Sequence, residues 1–149
     1  DCLLSRGLGD VYKRQIRRYA MKQSVNLQLF NYLYTRFEEL GVPIIRTSEL
    51  NQALPYPFIA IQSIRDDISR LTFDSYGGSP TAIIHIWCTE DDKGKNDELY
   101  IQVQSILLDD IQLDGYTLTL PRISVNESTE QETNQTLSHT TISVEYASH

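Results

Sequence analysis

A chain of 149 residues with 40% hydrophobic side chains and a net charge of −7 has room for one domain and one core. No apolar run approaches the ~20 residues of a membrane span, and Cys2 and Cys88 fit no metal or redox spacing. The acidic balance argues against wrapping a nucleic-acid backbone, which needs clustered Lys and Arg.

Residues 1–15 (DCLLSRGLGDVYKRQ) resemble translated read-through of a sequencing adapter, as found at the ends of metagenomic reading frames. They lack the basic start and apolar run of a signal peptide. Residues 1–20 are therefore read as a non-native or leader segment outside the fold, and residues 21–149 as the single domain. Residues 1–20 hold five basic and two acidic side chains, so the remainder carries eight basic and eighteen acidic ones, a net charge of −10. Such an acidic body suits a surface that nucleic acid slides past without sticking, as well as plain solubility.

The spacing of Leu29, Leu33, Phe37 and Leu40, widened by Phe30 and Tyr34, predicts a helix over residues 25–40. Ser24 is its expected N-cap and Gly41 its stop. A short strand over residues 44–46 and a polar connection follow. Pro55 and Pro57 then bracket Tyr56 and form a rigid entry turn, because proline fixes φ and biases the preceding residue toward extended geometry. They feed a strand over residues 58–65. Its first half is apolar on both faces and its second half turns polar, as though leaving the core for a projecting hairpin arm.

The run Asp74-Ser75-Tyr76-Gly77-Gly78-Ser79-Pro80 reads as a turn. Residues 81–89 (TAIIHIWCT) form the clearest strand, with Ala82, Ile84, Ile86 and Cys88 on one face and Ile83, His85 and Trp87 on the other. Cys88 reads as a small buried side chain and His85 as a hydrogen-bonded sheet residue; His139 has no evident partner. A charged loop opens a second helix predicted to run to Leu113. Strands over residues 116–126, with a bulge or break at Pro121, and 137–146 complete the chain.

The expected fold class is α+β: a single domain with a mixed, mainly antiparallel sheet of about four to five strands, two helices on one face and a projecting β-hairpin arm. No catalytic set, metal-ligand cluster or phosphate-cradling loop emerges, so the chain reads as neither an enzyme nor a cofactor protein.

Taken together, Glu-Leu-Gly-Val-Pro closing the first helix (residues 39–43), Pro-Tyr-Pro-Phe-Ile (55–59), His-Ile-Trp (85–87) and the acidic glycine-containing loop resemble the tail-terminator, or tail-completion, proteins of long-tailed bacteriophages and prophages. The resemblance spans residues 21–146. It implies a structural virion protein, made in the host cytoplasm, that caps the tail tube as a ring, usually a hexamer, and joins it to the head connector. Its partners would be further copies of itself, the tail-tube protein and the connector or head-closure protein. DNA would pass through an acidic lumen without specific binding, and no membrane is involved. For such a ring, Tyr56, Arg65, Asp66, Asp67, Arg70, Phe73 and Tyr76 are the expected subunit-interface residues. The alternatives are a head-closure protein of the same junction, or a small host α+β protein or enzyme unrelated to assembly.

Overall fold

The computed structural model describes residues 23–50, 54–70 and 76–149. Residues 1–22, including the proposed non-native segment, and Phe73 lie outside the described residues.

Helix α1 (Val25–Glu38) starts where Ser24 accepts a hydrogen bond from the Leu27 N–H. It buries Val25, Leu29, Leu33 and Phe37, the stripe that the periodicity predicts. It ends two residues earlier than expected. The chain turns through Leu40 and Gly41, whose φ of 77° is readily adopted only by glycine. Strand β1 (Ile44–Arg46) pairs in parallel with β2 (Phe58–Ile61).

The predicted continuous strand over residues 58–65 is instead two. Strand β2 stops at Ile61, and β3 (Arg65–Arg70) pairs with the first half of β4 (Tyr76–Thr89). Residues 76–80, expected as part of a turn, thus belong to a 14-residue strand. Composition favours a turn here, but cross-strand pairing overrides it. The proline in this run is tolerated because the β4–β7 ladder pairs Gly78 and Thr81 and skips Ser79 and Pro80, so no partner on that side needs the missing N–H.

Helix α2 (Lys93–Leu108) also ends before its predicted limit, and Ile111–Leu113 forms β5. The consecutive acids Asp109 and Asp110 oppose the negative end of the helix dipole, while Ile111 is buried as a strand residue opposite Leu118. Strand β6 (Tyr116–Gln131) runs five residues beyond its expected end and pairs with β7 (Thr136–Ser148). The predicted irregularity at Pro121 is present: the β6–β7 register shifts between Thr119 and Arg122, and Leu120 has φ 53°.

Among the described residues the sheet therefore has seven strands, not four or five, in the order β1-β2-β4-β7-β6-β5, with β3 beside β4. Every pairing except β1–β2 is antiparallel. Both helices do pack on one face. Their apolar stripes share a core with Ile59, Ile61, Ala82, Ile84, Ile86, Ile142, Val144 and Tyr146. The Tyr146 hydroxyl donates to the Leu107 carbonyl at 2.7 Å, satisfying one of the end carbonyls that a helix leaves without an internal partner. Tyr146→Phe is expected to cost about 1–2 kcal/mol, the usual consequence of orphaning a buried acceptor. Urea denaturation should show a lowered midpoint with an unchanged slope.

Candidate functional site

The face of the sheet opposite the helices carries a connected row of rings. Alternation along β4 places His85 and Trp87 there, and register brings neighbours to each. Phe58 lies opposite Trp87 on β2, and His139 lies opposite it on β7. The Trp87 and His139 rings stack at 3.8 Å with 11° between planes. Phe58 stacks on Trp87 at 6.3 Å, and Tyr56 adjoins Phe58 at 5.5 Å. The Tyr56 hydroxyl donates to a Glu132 carboxylate oxygen at 2.9 Å, joining the entry turn to the tip of the β6–β7 hairpin. Burial, followed by that hydrogen bond and the charges of Glu132 and Glu130, pushes the Tyr56 phenol up to about 12.

A polar chain crosses the same face. His85 Nδ1 lies 2.8 Å from His139 Nε2, and His139 Nδ1 lies 3.2 Å from Glu130 Oε1. The Gln62 side chain, 3.1 Å from His85 Nε2, closes the other end. A carboxylate only accepts, so His139 Nδ1 carries the proton toward Glu130. With both rings neutral, His85 Nδ1–H then donates to His139 Nε2 and His85 Nε2 is left to accept, which requires the Gln62 amide to turn its NH2 group toward the ring in place of the Oε1 that lies 3.1 Å away. His139 thus has partners on both sides that its sequence context does not reveal.

The pKa of His85 is lowered, first by burial and then by His139. A half-buried base with a lowered pKa binds fewer protons folded than unfolded, so its contribution to stability is complete above the ordinary histidine pKa of ~6.5 and is lost as pH falls through the folded value. Denaturant midpoints are therefore expected to fall on going from pH 7.5 to 5. His85→Gln should flatten that slope.

The expected interface residues divide between two places. Arg65, Asp66, Asp67 and Arg70 all lie on β3, and Tyr76 pairs with Arg70 across the ribbon. Tyr56 does not join them, since it sits by Phe58, which pairs at the Trp87 end of β4, whereas β3 pairs at the Tyr76 end. The two groups are separated because the sheet places β2 and β3 successively along one side of the same long strand.

On β3, Arg65 and Asp67 form an exposed ion pair at 3.4 Å, of the kind that contributes little to stability. Asp66 turns inward and accepts from the Ser79 N–H at 3.1 Å. A Cβ on Gly78 would come within 2.9 Å of that carboxylate, so glycine makes room for the contact. Burial raises the pKa of Asp66, the Ser79 bond opposes the rise, and Asp67 adds to it. Asp66 and Ile68 also line a cleft of about 590 Å³ beside Asn26, Tyr116 and Ser148. Ile68 is 68% exposed.

Pro55 and Pro57 lie in the segment entering β2, and the Tyr56–Pro57 bond is cis. Cys88 is buried and its thiol is pushed up, first by burial and then by Asp92, the opposite of what activates a nucleophile. Among the described residues, no three His, Cys, Asp or Glu side chains are placed to hold a metal ion, and no helix is long and apolar enough to cross a membrane.

No protein-family model matches the chain, and no curated protein matches it. Among solved structures, the fold is similar to a chain from the "Virion of native gene transfer agent (GTA) particle", with a TM-score of 0.56 and 10% sequence identity over 87% of this chain and 98% of that one. At that identity the likeness is one of fold: a mixed α+β domain with two helices on a sheet of seven strands.

Proposed function

We propose that the chain is a structural protein of a phage-like virion, and specifically a tail-terminator subunit that caps the tail tube as a ring and joins it to the head connector. The observation that carries this reading is the fold likeness to a virion chain along almost the full length of both molecules. The short motifs at residues 39–43, 55–59 and 85–87, which resemble tail-terminator sequences, supply the finer assignment. The role is one of assembly and not of catalysis, carried out at the tail–head junction after synthesis in a host cytoplasm.

In the ring, expected to be a hexamer, the β3 ribbon with its exposed Arg65, Asp67 and Arg70, its half-buried Asp66 and the paired Tyr76 forms one subunit contact; Phe73, expected at the same contact, lies outside the described residues. Tyr56 belongs to a separate patch on the open face of the sheet. The acidic balance of the domain suits a lumen that passing DNA does not adhere to. A head-closure role at the same junction is the second reading, since it asks for the same small acidic joining subunit.

Electron microscopy of particles made without this protein tests both. Overlong tails and unjoined heads are the expected result for a terminator. Tails of normal length with leaking heads would replace it with the closure role. Particles of unchanged form would overturn the virion assignment.

A further inference from the structure

Among the described residues, the outer edge of β6 carries no strand beyond its short pairing with β5. That pairing covers Tyr116, Thr117 and Leu118, whereas the β6–β7 ladder continues to Gln131. The ten-residue stretch from Arg122 to Gln131 is thus paired on one side only, and every position from Ser124 onward is exposed. Of the devices that blunt such edges, proline, lysine and bulges are missing from this stretch, and its charges are Arg122, Glu127 and Glu130. Pro121 and the register shift both lie just before it.

The hydrogen-bond phase of the edge follows from the hairpin. Glu132 N–H donates to the Gln135 carbonyl, so Glu132 and Gln135 form a hydrogen-bonded pair. In an antiparallel ladder such pairs alternate with pairs whose main-chain groups point away. Even-numbered residues from 122 to 132 therefore bond to β7. Ile123, Val125, Glu127, Thr129 and Gln131 turn their N–H and C=O groups outward.

We propose that this edge pairs with the same edge of a second copy of the chain, antiparallel and centred on Asn126. The sequence RISVNESTE is complementary to itself in that register. Arg122 faces Glu130 of the second copy at both ends, Ser124 faces Ser128, and Asn126 faces itself, all on the open face of the sheet. On the helix face, Ile123 faces Thr129 and Val125 faces Glu127. Each of these last pairs joins two residues with outward main-chain groups, so the register also forms about eight interchain hydrogen bonds.

Moving the centre to Glu127 sets two identical carboxylates opposite each other, which destabilises a sheet pair. Moving it to Val125 takes Glu130 away from Arg122. The register centred on Asn126 also uses the free edge almost fully, since the bulge and β5 bound it at one end and the hairpin turn at the other. The contact is isologous. It is therefore distinct from a head-to-tail ring contact through β3, and it stands whether or not the virion reading holds.

Arg122 and Glu130 of one molecule are about 27 Å apart along the strand at ~3.4 Å per residue, too far to pair within a chain. That separation makes the test decisive. Analytical ultracentrifugation should show a concentration-dependent dimer for the unaltered chain. Arg122→Glu and Glu130→Arg should each shift the equilibrium to monomer by at least tenfold in Kd. Mixing the two single variants should restore a heterodimer, because each charge then meets its opposite. Thr129→Pro, which removes one outward N–H and leaves the β7 ladder intact, should also abolish the dimer, with circular dichroism confirming the fold.

A chain that stays monomeric at every concentration would overturn the proposal. So would a dimer indifferent to Thr129→Pro, or single variants that do not recover on mixing.

Discussion

Replacing Ile84 with alanine is expected to remove about 2–5 kcal/mol of folding free energy, the range for truncating a fully buried aliphatic side chain. Ile84 is completely inaccessible. It sits at the middle of β4, paired with Ile61 on one side and Ile142 on the other, within the core that both helices cover. Its ladder partners Ile61 and Ile142 are themselves buried, and a site enclosed by packed neighbours collapses little, so the upper half of the range is the expectation. A domain of this size has a total stability of about 5–15 kcal/mol, so this single change takes a large share of it. Ile84→Val, which removes one methylene, should cost only about 1 kcal/mol. Urea denaturation followed by circular dichroism checks both. Equal effects of the two changes would show that Ile84 is not packed as described.

The second large effect belongs to the open face. Trp87→Ala is expected to cost about 3 kcal/mol, because it removes the ring on which His139 stacks at 3.8 Å and against which Phe58 packs. Trp87→Phe should stay within about 1 kcal/mol. It retains an aromatic ring at the site and discards the indole N–H, a buried donor with no acceptor among the described residues, whose burial is itself unfavourable. The contrast between the two variants separates stacking from polar burial. If Trp87→Phe were as damaging as Trp87→Ala, an unseen partner of the indole N–H would be required.

The parts of this architecture that show in the sequence are those whose local pattern and tertiary environment agree. Leu29, Leu33 and Phe37 recur at helical spacing and are all buried. The run from Thr81 to Thr89 is β-prone on both faces because one face meets the helices and the other meets Phe58 and His139. The strands that do not show are polar. Strand β3 is exposed at nearly every position, and the far half of β6 exposes every side chain, so neither carries an apolar alternation to read. Ile111 reads as a continuation of α2 because its spacing from Leu107 suits a helix. It leaves the helix only because a strand position opposite Leu118 buries it.

The ring-and-histidine row is illegible for a different reason. His85 and His139 are 54 residues apart, and Tyr56 and Glu132 are 76 apart. Only the register of four strands brings them together. The outward parity of His85 and Trp87 on β4 is visible in the alternation. The matching parity of His139 and Thr141 on β7 has meaning only once β7 is known to lie beside β4.

That neighbourhood also sets the order in which the molecule can be completed. Strand β7 follows all the others in the chain, yet it lies inside the sheet, between β4 and β6. On the ribosome, α1 and β1 to β4 emerge with one side of β4 open, and β6 emerges with only the short β5 to pair with. Ile142, Val144 and Tyr146, which finish the core, arrive only afterwards. Folding is therefore expected to wait for β7 and to be governed by distant pairings, the regime of slow two-state folding. The waiting chain exposes the β4 edge, with Ile84 and Ile86 beside it, and it is in this interval that misassembly and chaperone engagement are expected.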